Sequence, residues 1–191
     1  MTRDLAERRG LETEVYGAAE DSALLADAAV ETVEPGWTVL DCGTGSGHVG
    51  GRVAERGARV IASDLNPHAC ERARDRGLEA VRGDLLAPFR RGVFDAVAFN
   101  PPYLPTDPEA EWDDWMEVAL SGGESGRAVI EPFLDSVGRV LAPEGIALLL
   151  VSSLTGFETV VEYAENRGFE AGVVAEESFP FETLSVLELA R

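Results

Sequence analysis

A chain of 191 residues, 45% of them apolar, is one domain of ordinary size (residues 1–191) with ample core for a single sheet. Its formal net charge of −19, with no lysine, sets it against a nucleic-acid backbone in dilute salt. The same lysine-free, Ala-, Gly- and Arg-rich composition fits a halophilic source, where salt screens that repulsion, so the charge weighs only mildly against RNA or DNA.

Residues 21–33 place Leu24, Leu25, Ala28 and Ala29 on one face and predict a helix. Val39-Leu40 then leads through Asp41-Cys42-Gly43-Thr44-Gly45-Ser46-Gly47, a short apolar strand running into a glycine-rich turn. A helix to about residue 56 follows, with Val49, Val53 and Ala54 on one side. Glycines let the backbone approach a ligand without a Cβ in the way. The spacing Gly45-x-Gly47-x-x-Gly50 also satisfies the dinucleotide pattern. Asp41 arbitrates: a carboxylate at that strand end repels a pyrophosphate but can hold an ammonium. The next strand, residues 59–63, ends at Asp64, placed to accept from two ribose hydroxyls. After a helix over 68–76, the segment Ala80-Val81-Arg82 runs to Asp84, placed to accept from an adenine amino group. The plain alternative is that Asp64 and Asp84 cap a helix or a turn. Three acids beside one glycine turn fit a cationic nucleoside bearing an amino acid, and fit NAD badly.

Residues 94–99 form an apolar run that reads as a buried parallel strand, and Asn100-Pro101-Pro102-Tyr103 ends it. Two prolines cannot continue a ladder, so the chain leaves the sheet in a fixed direction. Asn100 is then left at the carboxyl edge, where open α/β sheets bind ligands. Its side-chain oxygen and the Pro101 carbonyl can accept two hydrogen bonds from a planar NH2 group, and Tyr103 is close enough to stack on that plane. The constellation suits an amino group on an sp² carbon, in an amide or a nucleobase. The bland reading is a proline-rich strand exit.

Residues 104–125 lack periodicity and read as a lid or binding loop, in which Trp112, Trp115 and Met116 are either a substrate surface or local packing. A helix over 127–140, a strand over 146–152 and a helix over 156–167 follow. Strands at 171–176 and 184–189, with no helix between them, predict an antiparallel hairpin. His48 and His68 are the only histidines and read as helix-start or surface residues. Cys42 and Cys70 stand in no paired or metal motif, so no metal site is expected. The charged opening residues argue against a signal peptide, and residues 146–151, the longest apolar run, cannot span a membrane. A reduced, cytoplasmic setting is expected.

Taken together, these motifs resemble the class I S-adenosylmethionine-dependent methyltransferases. Within that class the chain is most similar to the HemK-type enzymes that methylate the glutamine of the Gly-Gly-Gln motif in peptide release factors, and to their short archaeal and eukaryotic branch. The resemblance rests on Val15-Tyr16, Ala19-Glu20-Asp21-Ser22, the glycine turn, Ser63-Asp64-Leu65-Asn66-Pro67, Gly83-Asp84-Leu85 and the Asn-Pro-Pro-Tyr motif. It extends to Ser121-Gly122-Gly123, Gly126-Arg127 and Glu182-Thr183-Leu184-Ser185-Val186-Leu187. Gly17-Ala18 departs from the acid and proline expected there. The resemblance implies a Rossmann-like α/β fold with strand order 3-2-1-4-5-7-6. It implies cofactor contacts from Ser22, Asp41, Gly43, Gly45, Asp64, Asp84, Leu85 and Asn100, and catalysis by Asn100, Pro101 and Tyr103. It also implies a small zinc-binding activator subunit, added at the edge strand Leu78-Glu79-Ala80-Val81-Arg82, which shows no Lys, Pro or bulge signal guarding it. Two other classes stay open: an enzyme methylating a protein lysine or a nucleobase, and an inactive methyltransferase-like binding module.

Overall fold

The computed structural model describes residues 18–106 and 119–191. Val15, Tyr16, Trp112, Trp115 and Met116 lie outside them. Elements follow in chain order as α1 (Ala18–Thr32), β1 (Thr38–Cys42), α2 (His48–Ala54), β2 (Arg59–Asp64), α3 (Pro67–Asp75), β3 (Glu79–Arg82) and β4 (Phe94–Phe99). Then come α4 (Ile130–Val140), β5 (Leu141–Ser152), a 3-10 turn (Ser153–Thr155), α5 (Phe157–Glu165), β6 (Glu170–Ser178) and β7 (Thr183–Ala190).

The seven strands form one sheet of order β3-β2-β1-β4-β5-β7-β6, as the resemblance implies. Strands β3, β2, β1, β4 and β5 pair in parallel, and β7 runs antiparallel to both β5 and β6. Alternate residues of the central strands feed two cores. Leu40, Val97 and Leu149 pack with Phe133, Leu134 and Val137 of α4 and Val160 and Ala164 of α5. Val39, Ala96 and Leu148 pack with Leu25 and Ala29 of α1 and Val49 and Val53 of α2. The central strands β1, β4 and β5, covered on both faces, must read as continuous apolar runs rather than alternation, which is why they stand out in the sequence. No helix among the described residues is long and apolar enough to cross a membrane.

Helix α1 already includes Ala18, ahead of the expected residue 21, with Asp21 in the first turn described and Ser22 directly after it. Two other boundaries differ from expectation for local reasons. Helix α2 ends at Ala54, because Arg56 and Gly57 close a turn onto Val53 and Ala54 carbonyls. Strand β5 starts at Leu141, before the expected residue 146, because Pro143-Glu144-Gly145 forms a bulge and not a strand end. Phe94 pairs with Leu141, but Ala96 already pairs with Ile146. A Cβ at Gly145 would lie 2.7 Å from the Phe94 carbonyl oxygen, so only glycine closes that bulge.

The β3 edge is short and half-buried, and its alternation can be read from hydrogen bonds. Gly83 N–H donates to the Asp64 carbonyl, so odd-numbered residues of β3 face β2 and Ala80 and Arg82 face outward. The edge is not bare: Arg74 donates to the Ala80 carbonyl at 2.9 Å, and Arg82 donates to the Leu65 carbonyl at 3.1 Å. A guanidinium thus occupies the outward acceptor where the sequence shows no edge guard.

Candidate active site

The carboxyl ends of β1, β2 and β4 bring the glycine turn, Asp64 and Asn100 to one edge. The turn is built on left-handed backbone: Gly43, Gly45 and Gly47 have φ of 64°, 52° and 75°. L side chains rarely adopt that conformation, so the turn requires glycine at all three positions. Asp41, buried at the end of β1, accepts from the Thr44 hydroxyl at 2.6 Å and from Gly50 N–H at 2.9 Å. A Cβ on Gly50 would come within 2.8 Å of that carboxylate oxygen, which is why α2 can press so closely on β1. Burial raises Asp41 to about 6, against the lowering pull of Thr44 and Gly50. Asp41 therefore sets the shape of the turn from beneath.

Asp64 clamps the turn from the side. One carboxylate oxygen accepts from Gly45 N–H at 2.9 Å and the other from Asn66 N–H at 2.8 Å. A carboxylate offers about four lone-pair sites, so two remain for ligand hydroxyls. Asn66 in turn caps α3, accepting from His68 N–H at 2.9 Å with Pro67 at the first helical position. Asp84 is exposed and its carbonyl closes a turn with Ala87 N–H. Leu85 beside it has φ 43°, the one non-glycine residue with positive φ among those described. Such a backbone is disfavoured for a leucine and is held here by its packing on the core.

Asn100 bridges to α1, its amide nitrogen lying 3.4 Å from the Ser22 hydroxyl. Its side-chain oxygen is shielded from solvent and has no hydrogen-bond partner among the described residues. Buried acceptors are normally paired, so this one marks a place for a donor. Pro101 is buried and Tyr103 half-buried. The Tyr103 hydroxyl donates to Asp21, its ring packs against the second core, and so the side chain is tied to α1 rather than left free.

Asp21 is the residue that sequence reasoning missed as a site component, although it stands next to Ser22 in the segment that carries the resemblance. Burial raises its carboxyl from 3.8 to about 6, Glu182 and Glu20 push the same way, and the Tyr103 hydroxyl pulls it down. Glu182 is itself held by Ser152, whose hydroxyl donates to it at 2.5 Å. A second floor lies under Tyr103. Gly126 packs so tightly there that a Cβ would sit 2.6 Å from the Tyr103 carbonyl oxygen, and Arg127 donates to the Thr155 carbonyl. The Gly-Gly-x-x-Gly-Arg segment, Gly122 to Arg127, thus fixes the exit path of the Asn-Pro-Pro-Tyr motif. Among the described residues no cluster of His, Cys, Asp and Glu is arranged to hold a metal ion.

The folded value of Asp21 lies above its unfolded one, so its contribution to stability is full below about pH 4 and is lost as pH rises through about 6. Asp21→Asn removes that loss. Unfolding free energies from urea titrations are expected to shift in the variant's favour between about pH 4 and 7, by an amount of order 1 kcal/mol or more. Parallel pH courses in the two proteins would contradict a buried, titrating Asp21.

Residues 39–123 match a methyltransferase-domain family model. The chain is 32% identical over 188 residues to a Methanocaldococcus jannaschii protein named for N5-glutamine methyl transfer, covering 95% of this chain and 94% of that one. It is 30% identical to the human methyltransferase HEMK2, covering 96% of this chain and 92% of the relative. Among solved structures, a chain of the E. cuniculi Mtq2–Trm112 complex, described as responsible for methylation of the eRF1 translation termination factor, superposes with a TM-score of 0.77 at 31% identity. That superposition covers 94% of this chain and 99% of the other.

Proposed function

We infer the activity from one premise: this chain belongs to the HemK-type family of class I glutamine-N5 methyltransferases. It methylates the side-chain nitrogen of the glutamine in the Gly-Gly-Gln motif of a peptide release factor, in the cytoplasm, with residues 1–191 acting as one domain. The observation that carries this reading is the solvent-shielded oxygen of Asn100 at the carboxyl edge of the sheet, which has no partner among the described residues.

The residues fit S-adenosylmethionine. Three glycines open the backbone of the turn, and Asp64 presents free lone pairs beside it. Gly43, Gly45, Asp64, Asp84 and Leu85 would hold its nucleoside, with Ser22 and Asn100 near its methionine end and Asp41 shaping the turn. When bound, the cofactor supplies an electrophilic methyl group on sulfonium sulfur.

The chain's own residues must then make a poor nucleophile react. An amide nitrogen delocalises its lone pair into its carbonyl, and no His, Cys or Lys is a candidate base in the site. The Asn100 oxygen and the Pro101 carbonyl accept the two amide hydrogens and turn the nitrogen's face toward the methyl group. Positioning of this kind is worth up to about 7–11 kcal/mol in favourable cases. As the nitrogen becomes cationic, the same two dipoles hold it more tightly than in the ground state. Tyr103, anchored on Asp21, keeps the Pro-Pro turn in place while this happens. Proton loss to water completes the step.

Transfer of labelled methyl groups to an intact release factor, but neither to its Gln→Ala variant nor to RNA, is the expected result. Label on the Gln→Ala variant would point instead to a lysine, and label on RNA to a nucleobase.

The partner is a small zinc-binding activator that adds a strand along β3, as Trm112 accompanies Mtq2 in the complex named above. The outward-facing Ala80 N–H makes the test clean. Ala80→Pro removes no hydrogen bond to β2, so the chain alone should keep its stability within about 1 kcal/mol. Co-purification of the small subunit from the native cytosol should be lost. A wild-type chain that is monomeric and fully active by itself would contradict the partnership.

A further inference from the structure

Phe181 is 94% exposed, by far the most exposed large apolar side chain among the described residues. Its exposure is enforced by the hairpin that carries it. Phe179 and Glu182 exchange backbone hydrogen bonds of 2.7 and 3.4 Å around the two-residue tip Pro180-Phe181. Phe179 turns inward onto the second core, and Glu182 turns back to Ser152. Phe181 is left facing solvent on a rigid, proline-containing tip. Strand β7 begins two residues later, at the carboxyl edge, because it runs antiparallel to β5 and pairs Leu184 with Ser152. The tip therefore stands on the same edge as Asn100, and its neighbour Glu182 is close enough to Asp21 and Tyr103 to raise both their pKa values.

Two further exposed leucines stand on this edge. Leu154 follows Ser152 in the 3-10 turn, where Ser153 accepts from Thr183 N–H at 3.0 Å. Leu104 follows Tyr103 directly. The segments that carry them meet at Gly126, where a Cβ would touch both the Tyr103 carbonyl oxygen and the Thr155 methyl group. Three exposed apolar side chains thus stand on the sheet edge that carries Asn100, with exposed Glu176 and Glu177 on the outer arm of the hairpin.

We propose that Phe181, with Leu154 and Leu104, is the docking surface for the acceptor protein's glycine-rich loop, the phenyl ring lying against the backbone that flanks the target glutamine. The proposal rests on the glutamine-methylating activity inferred above. A chain entering the site advances roughly 3.4 Å per residue, so residues a few places from the glutamine pass along the edge that carries these side chains. Glycines there carry no side chain to hold an amide plane off an aromatic face. A ring on a rigid turn makes that contact at little entropic cost, as aromatic anchors of interfaces do. The glutamates of the hairpin favour a loop flanked by basic residues.

Steady-state methylation of an intact release factor by Phe181→Ser and Phe181→Tyr tests this. Expected is a KM raised about tenfold or more in Phe181→Ser, with kcat and calorimetric S-adenosylmethionine affinity unchanged, and recovery in Phe181→Tyr. So exposed a side chain can be replaced without touching the core. An unchanged KM, or a fall in kcat at constant KM, overturns the docking surface alone. A wild-type chain that transfers no methyl group to the release factor overturns the activity and this proposal together.

Discussion

Asn100→Ala is expected to lower methyl transfer by about a hundredfold or more while leaving cofactor affinity within a few-fold. The magnitude is that of removing one preorganised dipole from a developing charge. The direction follows from placement: among the described residues the Asn100 oxygen is held out of solvent without a partner, and its amide nitrogen makes a long contact with Ser22. The substitution should not cost stability in proportion. A buried acceptor without a donor costs about 1–3 kcal/mol, so deleting it offsets the lost packing. Activity lost at unchanged denaturant midpoint separates a positioning group from a structural one. Wild-type rates in the variant would mean that the amide is oriented by something else.

Asp64→Ala is expected to weaken S-adenosylmethionine binding by about 1.5–3 kcal/mol, which is roughly ten- to 150-fold, the range for hydrogen bonds to a charged group. Part of that loss comes from ligand hydroxyls, and part from the turn itself, because Asp64 also holds Gly45 and Asn66 N–H groups. Asp64→Asn separates the two. It keeps one oxygen for the turn but replaces the charge and the second acceptor, so it should fall between wild type and alanine in calorimetry. Unchanged affinity in both variants removes Asp64 from the cofactor site.

The centre of the sheet was legible because strands covered on both faces need apolar runs, and β1, β2 and β4 stop at or just before residues that break the run: Gly43, Asp64, and Asn100 with Pro101. The carboxyl edge was legible for the same reason, since those stops all fall at one end of the strands. Side-chain pairing over long separations was not. Asp21 and Tyr103 are 82 residues apart, and no local pattern says that a helix's first turn will receive the hydroxyl of a strand exit. The apolar run starts the strand at residue 146, and only the shifted register of β4 and β5 shows that it begins at Leu141 with a bulge at Pro143-Glu144-Gly145. Which side of β3 Ala80 faces is likewise invisible in a four-residue strand, where one register step reverses it. Arg74, ten residues before Asp84 and on a helix, gives no sign in sequence that it covers that edge.

Tandem mass spectrometry of an intact release factor, after reaction with the wild-type chain and S-adenosylmethionine, tests the central claim most directly. The expected result is one methyl group on the side-chain nitrogen of the Gly-Gly-Gln glutamine, absent when Asn100→Ala replaces the wild-type enzyme. A methyl group on a lysine, or a glutamine still methylated at the wild-type rate by Asn100→Ala, would contradict it.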